Sequence, residues 1–255
     1  MTAAPTVLST LELDVLWEAE RLGPRHVALS VPSPGTTHSE RAELVEKAWQ
    51  SLASRGLARQ RRASGDLLDL LGLLANPERS VDAWVFSDHR ITGLAASNGN
   101  HAILGVIDGD ECWLIPARAS SIAESAVSIA GELPAGVGQS VSVPHQLLVD
   151  ATAQAGNDAH ALVTALQDRG VELFDAQELA GMLLGTTTKG QFGVERENGQ
   201  GGHVRTPHVV AFHDTDAGRY LVQLERSGDD EDWCTITPAD NTVLTMRIWE
   251  LLEAL

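Results

Sequence analysis

The chain has 255 residues, 43% of them hydrophobic, which is enough for one large domain or two small ones with a substantial core. Its 35 acidic residues against 18 basic ones leave a net charge of −17, which repels a phosphate backbone and excludes nucleic acid as a partner. Met1 to Ser9 has neither a cationic flank nor an apolar run of signal-peptide length, and nowhere do about 18 apolar residues run uninterrupted, so a cytoplasmic globular protein is expected.

In chain order, Ser9-x-x-Glu12 has the spacing of a capping box, and Leu13, Leu16 and Trp17 follow on one face, predicting a helix that runs to Gly23-Pro24. His26 to Val31 reads as a strand ended by Pro32-Ser-Pro-Gly35. Thr37-x-x-Glu40 opens a second helix, with the stripe Leu44, Val45, Ala48, Trp49 and Leu52 and a stop at Gly56. The basic island Ala58 to Arg62 reads as a solvated helix end or loop, and Asp66 to Leu74 as a leucine-rich helix closed by Asn76-Pro77. An antiparallel meander is then predicted: Val81 to Phe86, a link through Ile91 to Leu94, a turn at Asn98-Gly99, Ile103 to Ile107, a turn at Asp108-Gly-Asp110, and Cys112 to Ile115. Pro116 to Ile129 returns to helix, and Leu133 to Gly138 is a connector.

Beyond it, His145 to Gln154 and Asp158 to Arg169 are predicted helices, and Asp175-x-x-Glu178 caps a third that ends at Gly185. Gly190 to Glu195 is a strand, Asn198 to Gly202 a loop, Thr206 to Phe212 a strand, and Asp214 to Gly218 a turn into Arg219 to Leu224. After the acidic run Asp229 to Asp232 comes a strand from Trp233 to Ile236, and Thr237-Pro238-x-Asp240 starts a final helix with Leu244, Ile248, Leu251 and Leu252 on its apolar face.

The second half restates the first. Ser51-Leu-Ala-Ser-Arg-Gly-Leu57 is answered by Ala165-Leu-Gln-Asp-Arg-Gly-Val171, and Glu111-Cys-Trp-Leu-Ile-Pro-Ala117 by Trp233-Cys-Thr-Ile-Thr-Pro-Ala239. The expected organisation is an N-terminal half, 1–138, and a C-terminal half, 139–255, repeating one plan within a single globular body; two copies are too few for a solenoid. Cys112 and Cys234 occupy matching places and are read as buried reduced thiols, and the six Trp residues as large packing pieces.

Catalytic signatures are weak. Gly199-Gln-Gly-Gly202 lacks the Gly-Lys-Ser/Thr of a phosphate loop and precedes a strand, and Gly138-Gln-Ser-Val-Ser142 lacks the second glycine of a nucleophile elbow. His203, His208 and His213, with Asp214 and Asp216, are the one histidine cluster, and a metal-assisted hydrolase using them is kept as the alternative function. Against it, positions 208 and 213 of one strand point to opposite faces, and no zinc-helix motif accompanies them. The reading favoured is therefore a non-enzymatic protein without metal or cofactor whose function is a surface.

Several strings carry a resemblance. Leu11-Glu-Leu-Asp-Val-Leu-Trp-Glu18, Val31-Pro-Ser-Pro-Gly35 followed by Glu40-Arg-Ala-Glu-Leu-Val45, Gly190-Gln-Phe-Gly193, Phe212-His-Asp-Thr-Asp-Ala-Gly-Arg-Tyr220 and Thr237-Pro-Ala-Asp240 together resemble the EspG family of actinobacterial type VII (ESX) secretion. The resemblance implies an α+β fold with a pseudo-twofold, mainly antiparallel central sheet flanked by two helical bundles. It implies a cytosolic chaperone that is not an enzyme and that binds the helical tip of the PPE subunit in PE–PPE heterodimers, shielding its apolar surface until export. Family contacts carried onto this chain fall on Gln191 and Phe192 of the sheet, on the turn Ser97-Asn98-Gly99-Asn100, and on Met246 and Trp249 of the last helix. The Asn98-Gly99 connection is short where mycobacterial relatives often carry a longer loop.

Overall fold

Both N-terminal capping boxes form. The Ser9 hydroxyl accepts from the Glu12 amide (3.1 Å) while Glu12 accepts from the Ser9 amide (2.7 Å), and Thr37 and Glu40 exchange the same pair at 3.2 Å. In the computed structural model, which describes residues 4–200, 202–226 and 232–255, these boxes start helices α1 (Thr10–Ala19), after strand β1 (Thr6–Ser9), and α2 (His38–Ser54). Next come the two-residue strands β2 (Ala58–Arg59) and β3 (Arg62–Ala63), helix α3 (Gly65–Ala75), and four long strands, β4 (Arg79–Phe86), β5 (Arg90–Asn98), β6 (His101–Asp108) and β7 (Glu111–Arg118). A short helix α4 (Ile122–Val127) leads to β8 (Val141–Pro144), α5 (His145–Ala155), α6 (Ala159–Gln167) and α7 (Leu173–Leu183). The chain ends with β9 (Thr188–Glu197), β10 (His203–Arg205), β11 (Val210–Thr215), β12 (Gly218–Arg226), β13 (Asp232–Pro238) and α8 (Asn241–Glu253).

The long strands and their two edge partners make one sheet in the order β1-β7-β6-β5-β4-β9-β11-β12-β13-β8, with β10 attached to the end of β9. Every paired strand in it is antiparallel. Read outward from the β4–β9 seam, both sides show the same thing: a meander of four strands, then an edge strand that entered the fold before its helices. The architecture is α+β and pseudo-twofold. Alternation along the strands sorts the core into faces. Val81, Ala83, Val85, Ala95, Leu104, Phe192, Val210 and Phe212 face one way and are covered by α4 and α8 through Ile122, Ala126, Leu244 and Ile248. On the other face, Leu94, Ala96, Ile103 and Leu114 meet the bundle α1–α3, whereas Val141, Val143, Tyr220 and Ile236 meet the bundle α5–α7.

Several predicted elements fall differently, each time because a tertiary partner decided. His26 to Val31 is no strand: its centre is a 3₁₀ turn, Val27–Leu29, begun by the His26 ring accepting from the Ala28 amide (3.1 Å) and pinned to β5 where the Thr92 hydroxyl donates to the Ala28 carbonyl (2.6 Å). The Ala58 to Arg62 island is an anchored hairpin, with Gln60 and Arg61 at φ +53° and +56°, Arg61 paired with Glu46 and Arg62 with Glu20. Ile91 to Leu94 lies inside a full strand rather than a link, and β7 runs on through Pro116 to Arg118 because β6 offers it partners to the end. Similarly β13 continues through Pro238, leaving Asp240, which accepts from the Val243 amide (3.0 Å), as the cap of α8. Asp175 caps nothing; α7 begins after Glu172 and holds Asp175 in its first turn. The strand expected over Thr206 to Phe212 begins only at Val210, as β11, the short β10 precedes it where no strand was expected, and Asp214 belongs to the strand, not the turn. Only Trp17 and Trp49 of the tryptophans are core residues, while Trp113 and Trp233 are more than a third exposed. Cys112 and Cys234 are both buried and free. The acidic run falls outside the described residues at 229–231, as do residue 201 of the glycine loop and residues 1–3.

Candidate functional site

The two bundles leave the middle of their shared sheet face uncovered. Crossing it, the register sets Thr92, Trp84, Gln191, Ala211, Val222 and Ile236 side by side on β5, β4, β9, β11, β12 and β13. Thr92 lies under the 3₁₀ turn and Ile236 under α5–α7; between them Trp84 and Ala211 are half-buried and Gln191 is exposed. From β5 to β12 is four interstrand steps, about 19 Å at 4.8 Å each, against about 10–12 Å for a helix with its side chains. The cleft is thus wide enough to seat a helix or the tip of a helix pair.

Its floor is apolar where it meets the C-terminal bundle. A groove of about 430 Å³ is lined by Phe86, Leu183, Lys189, Gln191, Ala211 and Val222, among others. Trp84 is held along the strand by its indole N–H, which donates to Asp82 (2.8 Å). At the α7 wall of the groove, His213 stacks on Tyr220 at 5.3 Å between centroids and bonds through Nε2 to the Met182 carbonyl (2.8 Å), and burial holds its pKa below the usual histidine value. Next to it, Arg219 is fully buried: Nε and Nη2 grip both oxygens of Asp214 (2.7 and 2.9 Å), and the remaining N–H groups go to the Ala130 and Gly131 carbonyls and to Asn241. With the Arg219 amide donating to the Pro134 carbonyl (3.0 Å) and the Tyr220 hydroxyl to the Val137 carbonyl (2.9 Å), the Phe212 to Tyr220 string is the hairpin that floors the groove and locks it to the connector and to the start of α8.

At the other end of the cleft sits a charged network. Arg205 pairs with Asp82 through both terminal nitrogens and with Glu195 (2.9 Å). His26 faces Glu195 across 3.4 Å, and because its Nδ1 already accepts from the Ala28 amide, Nε2 carries the proton toward the carboxylate. These bonds, His26's first and then Arg205's, lower the pKa of Glu195 to about 2. Among the described residues, His26, Asp82 and Glu195 are the one group of three ligand-type side chains that converge, and Arg205 already pairs with both of its carboxylates.

The expected contact residues do not share a surface. Gln191 lines the groove, but Phe192, next along the strand, is 0% exposed in the opposite core, stacked on Phe212 at 5.6 Å. Met246 and Trp249 belong to α8 and so lie across the sheet from Gln191; Met246 is 49% exposed, and the Trp249 indole donates to Glu124 (3.4 Å). Ser97 is buried, and the turn Gly99-Asn100, with Gly99 at φ +55°, is tied by Asn98 to the Asn76 carbonyl and by the Gly99 amide to Glu78. Ser97 is level with Arg79, five residues or about 17 Å along β4 from the Trp84–Gln191 row. The histidines of the metal alternative are not brought together either: His203 bonds the Pro77 carbonyl, exposed His208 lines a separate groove beside Arg247 and Leu251 of α8, and His213 is buried under α7. That alternative is set aside. Trp84, Phe86, Leu183 and Ala211 were missed, although β4 carries a signal for two of them: Val81, Ala83 and Val85 fill one face, so apolar Trp84 and Phe86 must occupy the other.

A family model described as the EspG family matches residues 9–250. This chain belongs to the EspG family. The EspG fold is found independently in the solved structure of the Mycobacterium tuberculosis type VII secretion system chaperone EspG5 in complex with the PE25–PPE41 dimer, with a TM-score of 0.73 at 15% identity, covering 99% of this chain and 97% of that one. No curated protein matches the sequence of this EspG chain. None of its helices among the described residues is long and apolar enough to cross a membrane.

Proposed function

We propose that this EspG-family protein is a cytoplasmic chaperone for a PE–PPE-like client, holding the helical tip of the PPE subunit on the open sheet face and keeping it soluble for type VII export. The observation that carries this reading is the cleft itself, an open stretch of sheet of helix width between two bundles with an apolar groove on its C-terminal side, in a protein whose counterpart of the same fold, EspG5, was solved with a PE–PPE dimer. The chemistry agrees: exposed apolar side chains at a helical tip self-associate unless covered, and an escort of charge −17 keeps the complex dispersed. The two halves, 1–138 and 139–255, act as one body, so the client meets a preformed surface. Gln191, Trp84, Phe86, Ala211 and Leu183 are the contacts assigned; Phe192 supports them from below, and no catalytic role is given to any residue.

Co-expression with PE–PPE-like pairs encoded beside the gene tests the proposal. A soluble complex containing one copy of each protein is expected. Ala211→Arg, which puts a charged side chain into the half-buried floor, is expected to abolish the complex while leaving the melting temperature within about 2 °C. Failure of every such pair to co-purify, or an undiminished complex with Ala211→Arg, overturns it.

A further inference from the structure

About the Ala83–Phe192 pair of the β4–β9 ladder, the open face has two equivalent halves. Asp82–Gly193 and Trp84–Gln191 stand one residue to either side of that pair, and Ser80–Glu195 and Phe86–Lys189 stand three residues to either side. Ala83 and Phe192 lie eight and nine residues beyond the ends of α3 and α7, so the two sets of rows are counterparts in the repeated plan as well as in the ladder. They are filled differently. On the Trp84–Gln191 side the rows run into the apolar groove. On the Asp82–Gly193 side, Arg205 lies over Gly193 so closely that a Cβ there would collide with its guanidinium, and Asp82, Glu195 and His26 surround it.

A helical tip meeting a face with twofold repetition has two orientations, half a turn apart, and attractive contacts alone separate them poorly. An apolar side chain placed on the Arg205 side would strip water from a guanidinium and a carboxylate and replace it with nothing. We infer that Arg205 is a specificity-determining residue of the cleft: paired with Asp82 and Glu195, it closes the half that mirrors the apolar groove and leaves the client one orientation. This rests on the chaperone reading given above. Asp82 serves both sides, since the carboxylate that holds Arg205 in place also accepts the Trp84 indole.

The test uses the full-length protein in complex with a PE–PPE-like pair and a photo-crosslinking residue placed at Phe86, on the groove side, or at Val27, exposed beside His26 on the other. In the wild-type background the client adduct at position 86 is expected to exceed that at 27 by about tenfold or more, which is the discrimination one well-placed unfavourable contact supplies. In Asp82→Leu/Arg205→Leu, which removes the buried Asp82 carboxylate together with Arg205 and leaves Glu195 its contact with His26, the ratio is expected to fall toward one. Should that variant not fold, Asp82→Asn/Arg205→Gln keeps the polar shape without the charge and is expected to lower the ratio in the same direction. Equal labelling in the wild type, or a ratio unchanged in the folded double variant, overturns the role of Arg205 while leaving the chaperone reading intact. Absence of any complex removes that reading and this inference together.

Discussion

Arg219→Met is the sharpest probe of what holds the cleft floor in place. The substitution keeps much of the side-chain volume over Phe212, whose ring lies 4.8 Å from the guanidinium, but it strands the buried Asp214 carboxylate and leaves the Ala130 carbonyl and the Asn241 side-chain oxygen without their donor. The Gly131 carbonyl fares better, because Asn241 Nδ2 also donates to it (3.1 Å). Breaking a buried pair by removing one partner costs about 3–5 kcal/mol. Against a total stability of about 5–15 kcal/mol, a loss of about 4 kcal/mol lowers the melting temperature by about 8–16 °C for a chain of this size. Asp214→Leu/Arg219→Met strands no charge and is expected to be more stable than Arg219→Met alone, with a coupling of at least about 2 kcal/mol in a double-mutant cycle. Thermal melts followed by circular dichroism at pH 7.5 measure all four proteins. A drop of less than about 2 °C for Arg219→Met, or strictly additive single effects, refutes the view that this pair locks β11 and β12 to the connector and to α8.

Phe192→Ala empties a fully buried site beneath the groove and is expected to cost about 3–5 kcal/mol, so client capture should fall with folding and recover when binding is measured well below the variant's melting temperature; loss of binding at full stability would make Phe192 a contact after all. His213 is neutral in the fold and its folded pKa lies below the unfolded value, so the unfolded chain takes up the proton first and stability falls as pH drops below about 6.5. His213→Gln should flatten the denaturant midpoint between pH 7 and 5.5 relative to wild type, and an unchanged slope would contradict the assignment. Burial pushes the Cys112 thiol up to about 12 and raises Cys234 as well, so neither should react with a thiol reagent at pH 8 without denaturant; fast stoichiometric labelling of the native protein would count against their burial.

Local chemistry was legible without the fold. The spacing of Ser9 to Glu12 and of Thr37 to Glu40 fixed two helix starts, because a capping box is made within four residues, and the leucine-rich run 66–74, closed by Asn76-Pro77, marked a third helix. The mix of helices and antiparallel strands was readable from strand alternation and turn residues that recur in both halves, and the family resemblance from short strings such as Leu11 to Glu18 and Phe212 to Tyr220. Contacts between distant segments were not. Pro116 and Pro238 look like helix starts until a neighbouring strand pairs with them, and His26 to Val31 looks like a strand until β5 supplies a hydroxyl instead of a ladder. The candidate site divides the same way. Gln191 and Phe192 are adjacent in sequence, yet the pleat sends one to the cleft and the other to the core, and only the register across β4, β9 and β11 assembles Trp84, Gln191 and Ala211 into one surface. Which face each helix covers, and therefore which middle stretch of sheet stays open, is decided by long-range packing energies that no local pattern in this chain encodes.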